Sequence, residues 1–329
     1  MPLLTFLSCQ PFSPCFPKGE AAGQDSKLTR CKDDLSLRMC KATTLAALVW
    51  PRKAGIENKL GITTLVVPQR RLPMTLNEFN LFDTHLHIID SRFPLVPNNG
   101  YLPDEFTCKD YLNRMNDYSL IGGAIVSGSY QTFDQTYLVD ALKTLGPSFV
   151  GVTQLPATVS DDELFELNRI GVRAVRFNLK RGGSEEVSQL DSMARRVYDL
   201  TGWHVELYVD SKELDGLFNT LAALPAVSID HLGLSKKGFV TMLKLVERGV
   251  HVKATGFGRV DFDVRTAIQD IYSANPESLM FGTDLPSTRA PRPYEDNDFT
   301  LVVEALGKEK AQKVLHENAV KFYRPQQRS

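Results

Sequence analysis

Two imidazoles stand two residues apart in Asp83-Thr-His85-Leu-His87. On an extended chain, residues i and i+2 project to the same side, so both rings would face one ion or one substrate. Further on, Ile229-Asp-His231-Leu-Gly supplies a third imidazole, and Phe281-Gly-Thr-Asp284-Leu-Pro supplies a carboxylate. A carboxylate among imidazoles can act as general base toward water, while the imidazoles, or a metal they hold, polarise the attacked carbonyl. Plainer readings stand beside this one: a surface His-Leu-His, a core His231 bonded to backbone, and Asp284 as a helix cap in the turn that Gly282 and Pro286 make. For side chains this far apart in sequence to act together, the fold must bring several strand ends to one rim.

From Met74 onward, short β-rich runs alternate with longer amphipathic stretches. Eight strands are expected, over residues 81–85, 122–127, 149–154, 172–177, 204–209, 227–231, 250–256 and 279–284. Helices between them are expected to begin at caps such as Thr107, Ser160, Ser211 and Asp263, with apolar residues at helical spacing, as in Leu164, Leu167 and Ile170. The expected fold is α/β: a single-domain (β/α)8 TIM barrel over residues 74–329. A doubly wound sheet is the rival, but no G-x-G-x-x-G follows the first strand and no G-x-x-x-x-G-K occurs. In a barrel, chemistry gathers at the carboxyl ends of the strands, where His85, His87, His231 and Asp284 are expected to lie. His204 opens its strand, His251 lies early in the seventh, and His316 falls in the last helix, so these three are placed outside the site.

The charge is nearly balanced, with 38 basic and 39 acidic side chains, so no global field favours nucleic acid or an anionic membrane. The longest apolar runs, 43–50 and 120–126, fall short of the roughly 20 residues a bilayer span needs. A small molecule is the expected partner, with neither nucleic acid nor membrane; the oligomeric state stays open, a homo-oligomer included. Cys9, Cys15, Cys31 and Cys40 follow no zinc or disulfide spacing, and only Cys108 belongs to the main body, which suits a cytoplasmic location. Residues 1–73 show no sustained period, apart from a brief strand over 59–68, and are expected to form a mostly disordered extension without a secretion signal. Met74, just before the compact domain, is read as an alternative start.

Four stretches in order, Asp-Thr-His85-Leu-His87, Gly-Val-Arg-Ala-Val-Arg176-Phe-Asn178, Ile-Asp-His231-Leu-Gly and Phe-Gly-Thr-Asp284-Leu-Pro, resemble an amidohydrolase-related family of metal-dependent-hydrolase-like TIM barrels. That family includes 2-pyrone-4,6-dicarboxylate lactonase and sugar lactonases. The resemblance runs from Leu81 through Tyr323 and implies hydrolysis of a lactone, or a related carbonyl ester, of a small carboxylated acid. It implies Asp284 as the base, with His85, His87 and His231 binding or polarising the carbonyl. Arg176 would grip a substrate carboxylate, for which its planar fork is suited. Tyr208, Ser129, Arg259 and Tyr101 would be further substrate contacts. Leu234 stands where an arginine is expected, and the basic residue around Lys180-Arg181 is shifted by one place; both bear on which acid is bound. Arg176 could equally be a structural ion pair in the barrel mouth, and Tyr208 or Ser129 could pack or cap.

A binuclear metal site of this family would need a bridging carboxylate or carbamylated lysine from the fourth strand and a histidine from the fifth. Arg176 and Tyr208 stand at those positions. A single divalent ion, zinc first, on His85, His87 and Asp284 is left open; hydrolysis that requires no cofactor is the favoured expectation. The rival functions are a zinc-dependent decarboxylase on a related barrel and a non-catalytic barrel that binds a small ligand.

Overall fold

The computed structural model describes residues 75–326; the extension over 1–73, its brief strand and the start at Met74 lie outside the described residues. Eight parallel strands form one sheet in sequence order: β1 (Asn80–Leu86), β2 (Ser119–Val126), β3 (Phe149–Thr153), β4 (Val172–Phe177), β5 (His204–Leu207), β6 (Val227–Ile229), β7 (His251–Ala254) and β8 (Leu279–Phe281). The sheet curls into a TIM barrel, and the last stave meets the first through backbone bonds. Asp284 N donates to His85 O at 2.7 Å, and His87 N donates to Leu285 O at 2.8 Å.

Helices α1 (Cys108–Arg114), α2 (Thr136–Leu145), α3 (Asp161–Ile170), α4 (Leu190–Thr201), α5 (Leu214–Ala223), α6 (Phe239–Val246), α7 (Val264–Ala274) and α8 (Asp296–Leu306) follow the strands in turn. Two shorter helices, α9 (Lys308–Gln312) and α10 (Asn318–Tyr323), complete the described chain. Thr107, Ser160 and Asp263 cap as expected, each side-chain oxygen accepting from a backbone N–H in the first turn of its helix. Ser211 does not: Asp210 caps a 3-10 turn over Ser211–Glu213, and α5 begins only after it. A carboxylate one position earlier takes the capping role, accepting from Lys212 N.

Strands β6 and β8 end sooner than their sequences suggest. Beyond those ends His231 (φ 51°) and Asp284 (φ 63°) adopt left-handed backbone; non-glycine residues take this conformation at a cost, and often at functional sites. Alternate strand residues supply an outer apolar layer all round and an inner one from β1–β4 and β8, while β5 and β7 turn Glu206 and Lys253 inward. Ile125, Val175, Leu207 and Phe281 pack outward in the cluster that includes Leu138, Leu164, Val197 and Ile268 of the helices. Phe82, Ala124, Val126, Val152 and Met280 form a second cluster with Tyr323 of α10.

Asp83 clasps the seam between β1 and β8. Its Oδ1 accepts from Thr283 N at 2.8 Å and His85 N at 3.1 Å, while Oδ2 accepts from Thr283 Oγ1 at 2.7 Å and Tyr111 Oη at 3.1 Å. Burial, against the pull of these bonds, pushes its carboxyl up to about 6. An asparagine has one acceptor oxygen for these four donors, so Asp83→Asn is expected to lower the unfolding free energy by about 1–3 kcal/mol at neutral pH in urea titrations. The folded carboxyl holds its proton to about pH 6, whereas an unfolded one loses it near ~4. The Asp83 contribution to stability therefore falls as pH rises through that window, and the asparagine variant is expected to lack that slope. An unchanged midpoint and an unchanged slope would show that the clasp is dispensable.

Candidate active site

The closed seam puts the two ends of the domain side by side. Asp284 Oδ1 lies 3.9 Å from His85 Nε2 and 3.8 Å from His87 Nε2. The two rings of the His-Leu-His pair meet edge to face at 5.0 Å, and His231 comes to 4.8 Å from His85. The register of β1 on β2 slips between Asp83 and Leu86, an irregularity of the kind that re-aims side chains at barrel rims.

A cleft opens at this rim, bounded by His87, His231, Asp284 and the further candidates Tyr101, Ser129, Arg176, Tyr208 and Arg259. His85 is not among its lining residues: fully buried, it sits behind Asp284 with Nε2 lacking a hydrogen-bond partner. Burial pushes the His85 imidazole down to about 3, and it holds His87 and His231 well below their ordinary value. All three rings are therefore neutral near pH 7. Burial raises the carboxyl of Asp284, and the Arg259 guanidinium opposes that rise.

Neither inner arginine stands free. Arg176 donates to Ser127 O at 2.7 Å and to Asp230 Oδ2 at 2.7 Å. Arg259 donates through Nε to Asp284 Oδ2 at 2.7 Å and through Nη2 to Thr288 O at 2.8 Å. Two other arginines line the cleft, Arg181 and Arg289, and among the described residues neither has a carboxylate within ion-pair distance. Arg289 lies over the Tyr101 ring at 4.2 Å and donates to Asn98 Oδ1 at 2.9 Å; Asn98 Nδ2 in turn donates to Arg181 O at 3.1 Å. Lys180 turns away to Asp210 Oδ2 at 3.0 Å, so the one-place shift in the basic pair delivers Arg181 to the cleft. Leu234, with φ 66°, does not line it.

Sequence reasoning passed over Arg289 as well as the charged residues beneath the cleft, Glu206, Asp230 and Lys253. Arg289 carried no motif signal. The other three had a signal of a kind, since charged residues inside or just after otherwise apolar strands must find partners in the barrel.

His85, His87 and Asp284 offer three ligand atoms within 4.8 Å of one another, as do His85, Asp230 and His231. These donor types suit a zinc ion. The charge around them does not. Arg259 already holds the second oxygen of Asp284, and the cations Arg176, Lys253 and Arg259 balance the anions Glu206, Asp230 and Asp284. A divalent ion would leave that buried balance strongly positive.

The Amidohydrolase family matches residues 82–324. A 2-pyrone-4,6-dicarboxylate hydrolase of Comamonas testosteroni is 27% identical over 293 residues, covering 79% of this chain and 93% of that one. A 4-sulfomuconolactone hydrolase of Rhizobium radiobacter is 24% identical over 267 residues, covering 74% and 89%. Among solved structures, a probable 2-pyrone-4,6-dicarboxylic acid hydrolase of Acinetobacter baumannii superposes with a TM-score of 0.65 at 22% identity, over 74% of this chain and 99% of that one. Among the described residues no helix is long and apolar enough to cross a membrane. The family match runs from the first stave of the barrel to the helix that closes it, and the chain therefore belongs to the amidohydrolase family, as a hydrolase.

Proposed function

We propose that this protein opens a lactone of a small carboxylated organic acid, with Asp284 activating water and no metal required. The observation that carries the reading is the Asp284 carboxylate at the floor of a cleft, its free oxygen 3.8 Å from His87 Nε2 and its other oxygen on Arg259. Two relatives named for a pyrone dicarboxylate and a sulfomuconolactone support it, since both names denote cyclic esters carrying acid groups.

Asp284 takes a proton from water as the water oxygen bonds to the lactone carbonyl carbon. The carbonyl oxygen becomes an oxyanion, and His231, with the guanidinium of Arg259 nearby, faces the cleft where that charge develops. The ring C–O bond then breaks, and the departing ring oxygen takes the proton back from Asp284. One water is consumed and a second carboxyl group is formed. Arg181 and Arg289, whose guanidinium groups are not committed to carboxylates, suit the acid group that the substrate already carries. Arg176, bonded to Asp230 and 5.5 Å from the centre of the Tyr208 ring, lines the cleft with its cation already paired. Ser129 and Tyr101 complete the wall on the other side. The zinc-dependent decarboxylase reading would use the same three ligand atoms, and release of carbon dioxide from a trial acid would favour it.

A screen of sugar-derived and aromatic-catabolic lactones should find one whose turnover falls on the order of 10²–10⁴-fold in Asp284→Asn. Equal turnover in the variant would remove Asp284 as the base. Because burial raises the Asp284 carboxyl, the base form is lost as pH falls, at a pH above the ordinary carboxylate value. The acid limb of kcat/KM should therefore lie above that value, and Arg259→Gln should move it higher still, because the guanidinium is what holds the carboxyl down. A limb that moves to lower pH in the variant contradicts this electrostatic role. Enzyme passed through a chelator and stripped of metal is expected to retain full activity; a loss that zinc restores would establish the metal-dependent mechanism instead.

A further inference from the structure

Behind the cleft wall, charged side chains from three staves meet inside the barrel. Glu206 of β5, Asp230 just after β6 and Lys253 of β7 are each fully buried. Lys253 Nζ lies 2.5 Å from Glu206 Oε2, 3.4 Å from His85 Nδ1 and 3.5 Å from Asp230 Oδ1. Tyr323 of α10 donates to the same Glu206 oxygen at 3.2 Å. An ammonium group has three hydrogens and no acceptor, and three acceptors surround this one.

That arrangement bears on where His85 carries its proton. A ring nitrogen bonded to an ammonium must present its lone pair, so the single proton of the neutral imidazole belongs on Nε2. Asp230 Oδ1 is slightly closer to Nδ1, at 3.2 Å, and could accept from an Nδ1–H, but it makes no hydrogen bond here, whereas the Lys253 ammonium bonds that nitrogen. The other side of the ring agrees. Nε2 faces the buried Asp284 Oδ1 at 3.9 Å, and neither atom has another partner. An N–H there gives that oxygen the donor that His87, whose Nε2 lies 3.8 Å from it, does not supply with its proton on Nδ1. His87 is set the opposite way. Its Nδ1 contacts Val126 O at 2.7 Å, a carbonyl that can only accept, so Nδ1 carries the proton and Nε2 faces the cleft as a lone pair.

We infer that Lys253 is a positioning residue that fixes His85 as its Nε2–H tautomer, so that the two imidazoles of the His-Leu-His pair carry opposite tautomers around Asp284. His85 steadies the carboxylate from behind as a donor. His87 accepts from the substrate water in front. With its proton on Nε2, His85 has no lone pair to offer an ion at that atom. The inference rests on the reading of Asp284 as the base, but it makes a statement about the free enzyme that needs no substrate to check.

The test is a long-range ¹⁵N–¹H spectrum of the full-length, substrate-free protein near pH 7, with the rings assigned through His85→Gln and His87→Gln. The expected pattern is N–H character at Nε2 of His85 and at Nδ1 of His87. In Lys253→Met combined with Glu206→Gln, which removes both members of the ion pair and leaves no lone buried charge there, His85 should switch to Nδ1–H, donating to Asp230, while His87 stays as it was. Turnover should fall about 10- to 100-fold, the usual cost of removing an outer-shell partner, with KM within about twofold. An Nδ1–H signal from His85 in the wild type overturns the inference, even if the double variant does not fold. So does an Nε2–H signal that persists in the double variant. A protein that turns over no lactone but shows the opposite tautomers would refute the proposed reaction and leave the positioning role intact.

Discussion

The seam between the first and last staves governs this molecule. A parallel barrel closes only if β1 finds β8, and here the closing contacts include the residues that form the site: His85 O accepts from Asp284 N, and His87 N donates to Leu285 O. The Asp83 carboxylate adds four hydrogen bonds from Thr283, His85 and Tyr111 to the same join. Closure and the geometry of the candidate site are thus one event. The backbone bonds that complete the barrel also set the spacing between the imidazole pair and Asp284.

Charge inside a barrel imposes the second constraint. Moving an ion out of water costs several kcal/mol unless a partner and hydrogen bonds compensate, so each buried charge here has an opposite neighbour. Arg176 meets Asp230, Lys253 meets Glu206, and Arg259 meets Asp284. Histidines in such surroundings stay neutral, and burial is the first cause that holds all three site imidazoles in that form, with neighbouring cations adding to it. Glu206 is drawn toward its neutral form by the same cause: burial first, and Asp230 beside it, push its carboxyl up to about 7. A site built this way is ordered before substrate arrives, because its polar groups are already held by one another. Arg181 and Arg289 differ in having no carboxylate partner among the described residues, although Asn98 and the Tyr101 ring hold Arg289, and both line the cleft.

Much of this was legible in the linear chain. Eight β-rich runs separated by amphipathic stretches specified the barrel, because parallel strands and their covering helices demand different spacings of apolar residues. The caps at Thr107, Ser160 and Asp263 were readable for the same local reason. The left-handed backbone at His231 and Asp284 was not, since residue preference does not favour it there. His85 and His87 look equivalent in sequence, yet the structure buries one and exposes the other to the cleft.

Sequence by itself determined the kind of fold and brought His87, His231 and Asp284 into view as candidates at one rim, because periodicity and strand ends are local properties. Tertiary structure alone decided which arginines are committed and which are free, that Lys180 turns to Asp210 while Arg181 turns to the cleft, and that Lys253 lies beneath His85. Those outcomes depend on distances between residues of different staves. A charge can be read from a letter, but its partner is chosen only when the barrel closes.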